Sequence, residues 1–96
     1  MAKNKRSRPK LWPLTIKYQV DDGRPVFPET NMQATAGLKI SISLPGTVYS
    51  MKVKPYRAEV YSVRQRAKTE LIVNENVQLL IVKVPHGPSV VTVYYH

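Results

Sequence analysis

The chain has 96 residues, no cysteine, and a formal charge of +9 from fifteen Lys and Arg set against six Asp and Glu. That length allows one domain, and the lack of cysteine excludes both a disulfide framework and a thiolate metal site. Hydrophobic residues make up 43%, which argues against global disorder, and no window approaches the ~18 apolar residues of a bilayer span, so no membrane partner is expected.

Residues 1–10, MAKNKRSRPK, have no apolar periodicity. They cannot offset the entropy of ordering by burial, and with Leu11 and Trp12 they read as a basic arm over residues 1–12 ahead of a single domain over 13–96. Trp12, between Leu11 and Pro13, is expected to anchor the arm to the domain edge. The N-terminus lacks an uninterrupted apolar h-region, because Lys17 and Gln19 break the only candidate. No signal peptide is therefore expected, and cytosolic synthesis is, compatible with a later nuclear or virion-associated location.

Residues 14–20 alternate, with Leu14, Ile16, Tyr18 and Val20 on one face, the period of a half-buried strand. DDGRP then reads as a turn, since Asp-Gly tolerates positive φ and Pro25 fixes the exit. Pro25 and Pro28, with the polar residues that follow, predict a long irregular connection over VFPETNMQATAG, with a short helical turn starting near Pro28. Residues 38–44 repeat the strand pattern, with Leu38, Ile40, Ile42 and Leu44 inward. After Pro45-Gly46, residues 47–54 read as one further strand. Its pairing with 38–44 as a hairpin would set Lys52 and Lys54 beside Lys39.

Residues 56–68 fit two readings. As a strand, Ala58, Val60 and Ser62 share a face; as a helix, Val60, Val63, Ala67 and Leu71 line a stripe behind Pro55. The Val, Tyr and Ser content favours the strand. ELIVN (70–74) and VQLLIVKV (77–84) follow as strands, the second apolar on both faces and so expected to be central and covered on both sides. PHGPS turns the chain into VVTVYYH, a final strand whose apolar character makes it a candidate exposed edge for pairing with a partner. Six or seven short strands between Pro/Gly turns predict an all-β fold: a small antiparallel β-sandwich, immunoglobulin-like or jelly-roll-like, or a small barrel, carrying a basic N-terminal arm.

Catalytic chemistry is poorly supplied. His86 lies in a Pro-His-Gly-Pro loop and His96 is the last residue, neither at metal-ligand spacing. There is no G-x-S-x-G elbow, P-loop or G-x-G-x-x-G, and Asp21-Asp22 belongs to a turn. The expectation is no enzyme, no cofactor and no metal.

The charge is clustered instead. Residues 1–10 carry +5, 11–46 are neutral, 47–68 carry +5 and 69–96 carry −1. Two basic blocks on a near-neutral scaffold read as a footprint for a polyanion. The arm offers Lys3, Lys5, Arg6, Arg8 and Lys10; the second block offers Lys52, Lys54, Arg57, Arg64 and Arg66, with Tyr56 and Tyr61 placed to stack bases. The bland alternative has the tyrosines filling the core rim and the lysines guarding edge strands. The expected function is non-enzymatic binding of RNA or DNA with little sequence preference, because no base-reading element is evident. The alternative is a structural assembly protein (a virion component, or an accessory subunit of a ribonucleoprotein) that acts through protein contacts or self-association.

Overall fold

A computed structural model describes residues 10–48, 51–52, 54–74 and 79–96. Its strands are β1 (Leu11–Val20), β2 (Pro25–Thr35), β3 (Lys39–Ser43), β4 (Thr47–Val48), β5 (Met51–Lys52), β6 (Pro55–Ser62), β7 (Ala67–Leu71), β8 (Val73–Asn74), β9 (Leu79–Lys83) and β10 (Ser89–Tyr95). The protein is all-β, with no helix among the described residues. A five-stranded sheet in the order β2-β1-β10-β6-β7 and a three-stranded sheet in the order β3-β9-β8 share one core, the arrangement of a small β-sandwich. β4 and β5 form a separate two-residue ladder.

Period-2 patterning explains the core. Leu14, Ile16 and Tyr18 from β1, Ala58 and Val60 from β6, and Val91, Val93 and Tyr95 from β10 point inward from the larger sheet. Ile42, Leu80 and Val82 meet them from the smaller sheet, with Leu44 and Val84 just beyond its strands. At one end Tyr18, Phe27 and Tyr95 make edge-on and tilted ring contacts with centroids 5.5–6.3 Å apart.

The β1–β2 turn forms where DDGRP placed it. Gly23 takes a φ of 94°, the left-handed region that a side chain would resist. Its N–H donates to the Val20 carbonyl at 3.0 Å, while the Asp22 carboxylate accepts from Arg24 Nε at 2.8 Å. The Arg24 backbone N–H also bonds Asp22 and holds its carboxyl below the usual range, against an opposing desolvation and with help from the guanidinium.

Several expectations are corrected. Residues 25–35 are not an irregular connection with a helical turn but the strand β2, antiparallel to β1. Pro28 is accommodated because β2 is an edge strand and because Pro28 and Glu29 oppose Lys17 alone, a bulge between the Tyr18–Phe27 and Ile16–Thr30 pairs. Residues 47–54 are not one strand: Thr47 pairs with Lys52 and Val48 with Met51, which reverses the chain. β3 pairs with β9, so Lys39 stands beside Lys83 and not beside Lys52 or Lys54. Leu38 is exposed instead of inward, lying ahead of β3 where the chain crosses between sheets. β9 is central in its sheet, but Ile81 is 46% exposed because only one face meets the core.

Residues 56–68 resolve as strand, then turn, then strand. β6 runs to Ser62, residues 63–66 turn, and β7 returns antiparallel from Ala67. The final strand is not an edge. β10 lies between β1 and β6, pairing parallel with β1 (Leu14 opposite Ser89 through Val20 opposite Tyr95) and antiparallel with β6. The larger sheet is therefore mixed, not purely antiparallel. β10 re-enters from the smaller sheet at the end where β1 begins, so the two strands run the same way. With neighbours on both sides, VVTVYY has no free backbone row to offer a partner.

Candidate nucleic-acid interface

The sheet register brings parts of the two basic blocks to one end of the domain. β1 carries Trp12 opposite Ala34, beyond the Leu14–Ser89 pair. The 63–66 turn reaches the same end, because Ser62 opposes both Ser89 and Ala67. Val63 N–H donates to the Pro88 carbonyl at 3.0 Å, and Gln65 N–H donates to Ser62 Oγ at 3.4 Å, so the turn is tied at two points. Arg66 closes it with a φ of 53°, an uncommon backbone state for a non-glycine residue.

Over Trp12 the blocks meet. Lys10 Nζ lies 4.8 Å and the Arg64 guanidinium carbon 4.9 Å from the ring centroid, both within cation–π range. The stem of Arg64 passes over Gly87, where a Cβ would fall 3.2 Å from Arg64 Cβ. Trp12 Nε1 is buried and has no hydrogen-bond partner among the described residues. Lys10, Arg64 and Arg66 are exposed.

The outward face of β6 behaves differently. Glu59, the lone acid of residues 47–68, is only 7% exposed. Arg57 Nη2 reaches its carboxylate at 3.2 Å, Lys68 Nζ at 3.5 Å and the Tyr94 hydroxyl at 3.3 Å. Arg57 Nε also meets Glu70 at 3.4 Å, and its guanidinium lies 4.6 Å from the Tyr94 ring centroid. Glu59 and Glu70 are directly opposed across β6 and β7, a like-charge pair that Arg57 bridges. Burial and the adjacent Glu59 carboxylate push the Tyr94 hydroxyl pKa up. Arg57 and Lys68, counted as free cations in the sequence, are thus paired with acids inside the domain.

Tyr56 is also engaged. Its ring stacks on His96 with centroids 4.4 Å apart and planes 7° from parallel, and its hydroxyl donates to Asp21. That hydrogen bond, with a smaller part from desolvation, raises the Tyr56 pKa. Lys54 is exposed, and its backbone exchanges two hydrogen bonds with His96 at 3.0 and 3.1 Å, which extends the β6–β10 ladder. Tyr61 is half-buried on the outward face, between Val90 and Lys68. Lys52 lies on β5, paired through its backbone with Thr47. Lys3, Lys5, Arg6 and Arg8 lie outside the described residues.

The register therefore gathers Lys10, Arg64 and Arg66 at one end, holds Arg57 in an ion-pair cluster on a face, and sets Lys54 and Tyr56 at the opposite end. Trp12 as a meeting point, Glu59 as the hub of the cluster and Gly87 as the floor under Arg64 were missed. For Glu59 a signal existed: one acid among six cations on an alternating strand marks a neutraliser. Comparison with protein-family models, curated proteins and solved structures found no match.

Proposed function

We propose that this protein is a non-enzymatic β-domain that binds nucleic acid through its N-terminal arm and the end of the sandwich bearing Lys10, Trp12, Arg64 and Arg66. The observation that carries this reading is the convergence of the two basic blocks over Trp12. The arm's cations Lys3, Lys5, Arg6 and Arg8 precede Lys10 in the sequence, and in this reading they add phosphate contacts to those made by that end. Arg57 takes a lesser part, since Glu59 and Glu70 already occupy its guanidinium. Tyr56, stacked on His96, is a packing residue in this reading, and Lys54 lies outside the main footprint.

As to fold type, we read an open sandwich in preference to a barrel, because β2 and β7 end the larger sheet without meeting. The parallel β1–β10 pair sits better with an immunoglobulin-like arrangement than with a jelly roll built from antiparallel neighbours.

The test is fluorescence anisotropy with labelled single-stranded DNA, RNA and duplex over a range of salt, with polyglutamate as the control polymer. Expected are a steep fall in affinity with salt, little sequence preference, and a sharp loss on deleting residues 1–10 with the fold intact. Substituting Arg64→Ala and Arg66→Ala should each flatten the logarithmic salt slope by about 1. Equal binding to polyglutamate, or unchanged affinity without residues 1–10, would overturn the reading.

A further inference from the structure

β7 is an edge strand, and its two faces are unlike those of the other edges. β2 is blunted by Pro25, Pro28 and a bulge, β3 carries Lys39 opposite Lys83 on its neighbour, and β8 has two residues. β7 has no proline, and its five pairs with β6 run without a register shift. Its outward residues are Lys68 and Glu70; its inward ones are Ala67, Thr69 and Leu71. Thr69 opposes the buried Val60, yet Thr69 is itself exposed. Beneath it opens a groove of about 530 Å³, with Val60, Thr69 and Leu71 on one wall and Val84, Pro85 and His86 on the other. Among the described residues this edge is unpaired and the groove unfilled, the geometry that strand addition completes.

We propose that β7 pairs antiparallel with β7 of a second copy of this chain, on a two-fold axis through Thr69. The sequence of the strand is self-complementary in that register and in no neighbouring one. Centred on Thr69, Lys68 of each copy faces Glu70 of the other on the outward side, Thr69 faces Thr69, and Ala67 faces Leu71 above the groove. Opposite charges, paired threonines and a small residue against a large one are all favourable cross-strand pairs. A shift by two residues sets Lys68 against Lys68 or Glu70 against Glu70. A shift by one turns the charged side chains toward the groove.

Three further observations fit this occupant. The Lys68 and Glu70 side chains are each about two-thirds exposed despite their contacts to Glu59 and Arg57, so both retain capacity for a second partner. Glu70 has Glu59 opposite it on β6, and the Lys68 of the second copy would place a cation on its other side. Ile72, at 88% exposed, follows directly after β7. In the Thr69-centred register it faces position 66 of the second copy and is covered by that copy's 63–66 turn. The contact is isologous, so assembly closes at two. This inference does not rest on nucleic-acid binding.

The native chain lacks cysteine, so single substitutions give clean reporters. Thr69→Cys places two thiols on the axis, where paired antiparallel residues lie ~4.5–5.5 Å apart between Cα atoms, within disulfide reach. Under mild oxidation T69C should form a covalent dimer several-fold faster than the β3 control Ser41→Cys. Light scattering on the unmodified chain should give twice the 10.9 kDa mass at high concentration. Thr69→Lys, which sets two ammonium groups on the axis, should weaken the dimer by about tenfold or more. A strict monomer at all concentrations, T69C cross-linking no faster than S41C, or an unchanged T69K dimer would each overturn the proposal.

Discussion

Arg64 lies over Trp12, its guanidinium carbon 4.9 Å from the ring centroid, and thereby joins the turn after β6 to the start of β1. Trp12 is the only tryptophan in the chain, so its emission reports the surroundings of this one ring, where Lys10 and Arg64 both lie. Arg64→Ala should shift or brighten the tryptophan emission with little loss of stability, since an exposed cation–π pair contributes about 0.5–1 kcal/mol. Nucleic acid should change the emission of the native protein in step with binding, and the R64A variant should respond less. Emission indifferent to both would show that Trp12 stands apart from the binding surface.

Glu59→Gln keeps the shape of the side chain but removes the charge that Arg57 and Lys68 both contact. The partners are well exposed, so screening limits the loss to about 1–2 kcal/mol. Lys68 loses its carboxylate partner and Arg57 keeps only Glu70, so polyanion affinity should rise severalfold with a steeper salt slope. Urea unfolding and anisotropy together check the pair of effects. A variant that loses stability but gains no affinity would mean that this face takes no part in binding.

Gly87→Ala tests the floor under Arg64. The backbone there has a φ of 122°, and an added Cβ would meet Arg64 Cβ at 3.2 Å. Strain of about 1–3 kcal/mol is expected, together with a displacement of Arg64 from the Trp12 ring. Thermal unfolding reads the first effect and tryptophan emission the second.

Three tyrosines should titrate late. Burial raises the Tyr95 pKa, with a lesser contribution from nearby Tyr18; burial and Glu59 raise Tyr94; the bond to Asp21 raises Tyr56. In each case the folded state holds the proton more tightly than the unfolded chain does. The resulting stability is fully present below the ordinary tyrosine value of 10.0 and is lost as pH climbs through the raised folded values. Tyrosinate absorbance should therefore remain incomplete above pH 10 until the protein unfolds. The Tyr95 hydroxyl is buried without a hydrogen-bond partner among the described residues. Removing it with Tyr95→Phe should leave stability unchanged or raise it by about 1 kcal/mol, and should remove the latest step of the titration.

Much of the fold is determined locally and is legible in the sequence. Leu14, Ile16 and Tyr18, then Val91, Val93 and Tyr95, alternate with polar or outward residues because successive side chains leave a strand on opposite faces. That alone assigns a strand, a buried face and an all-β class. Asp-Gly with Pro25 assigns the first turn, since its conformational demands are met by the residues themselves. The count of charges likewise locates two basic blocks without reference to any contact.

Which strands become neighbours is not a local property. Pro28 marks a break to a reader of the sequence, but an edge strand with a bulge has room for a residue without an N–H, and only the pairing with β1 supplies that edge. The apolar VVTVYY has the composition of an edge or a centre alike; β10 is central because β1 and β6 flank it. Charges are decided in the same way. Arg57 shares a strand face with Glu59 two residues on, but only the pairing of β7 with β6 adds Glu70 and Lys68 to that cluster, while the turn carries Arg64 to Trp12. Composition determined that this protein is a basic β-domain. Long-range register, fixed by burying one face of each sheet, decided which of its cations are neutralised within the domain and which meet at its end.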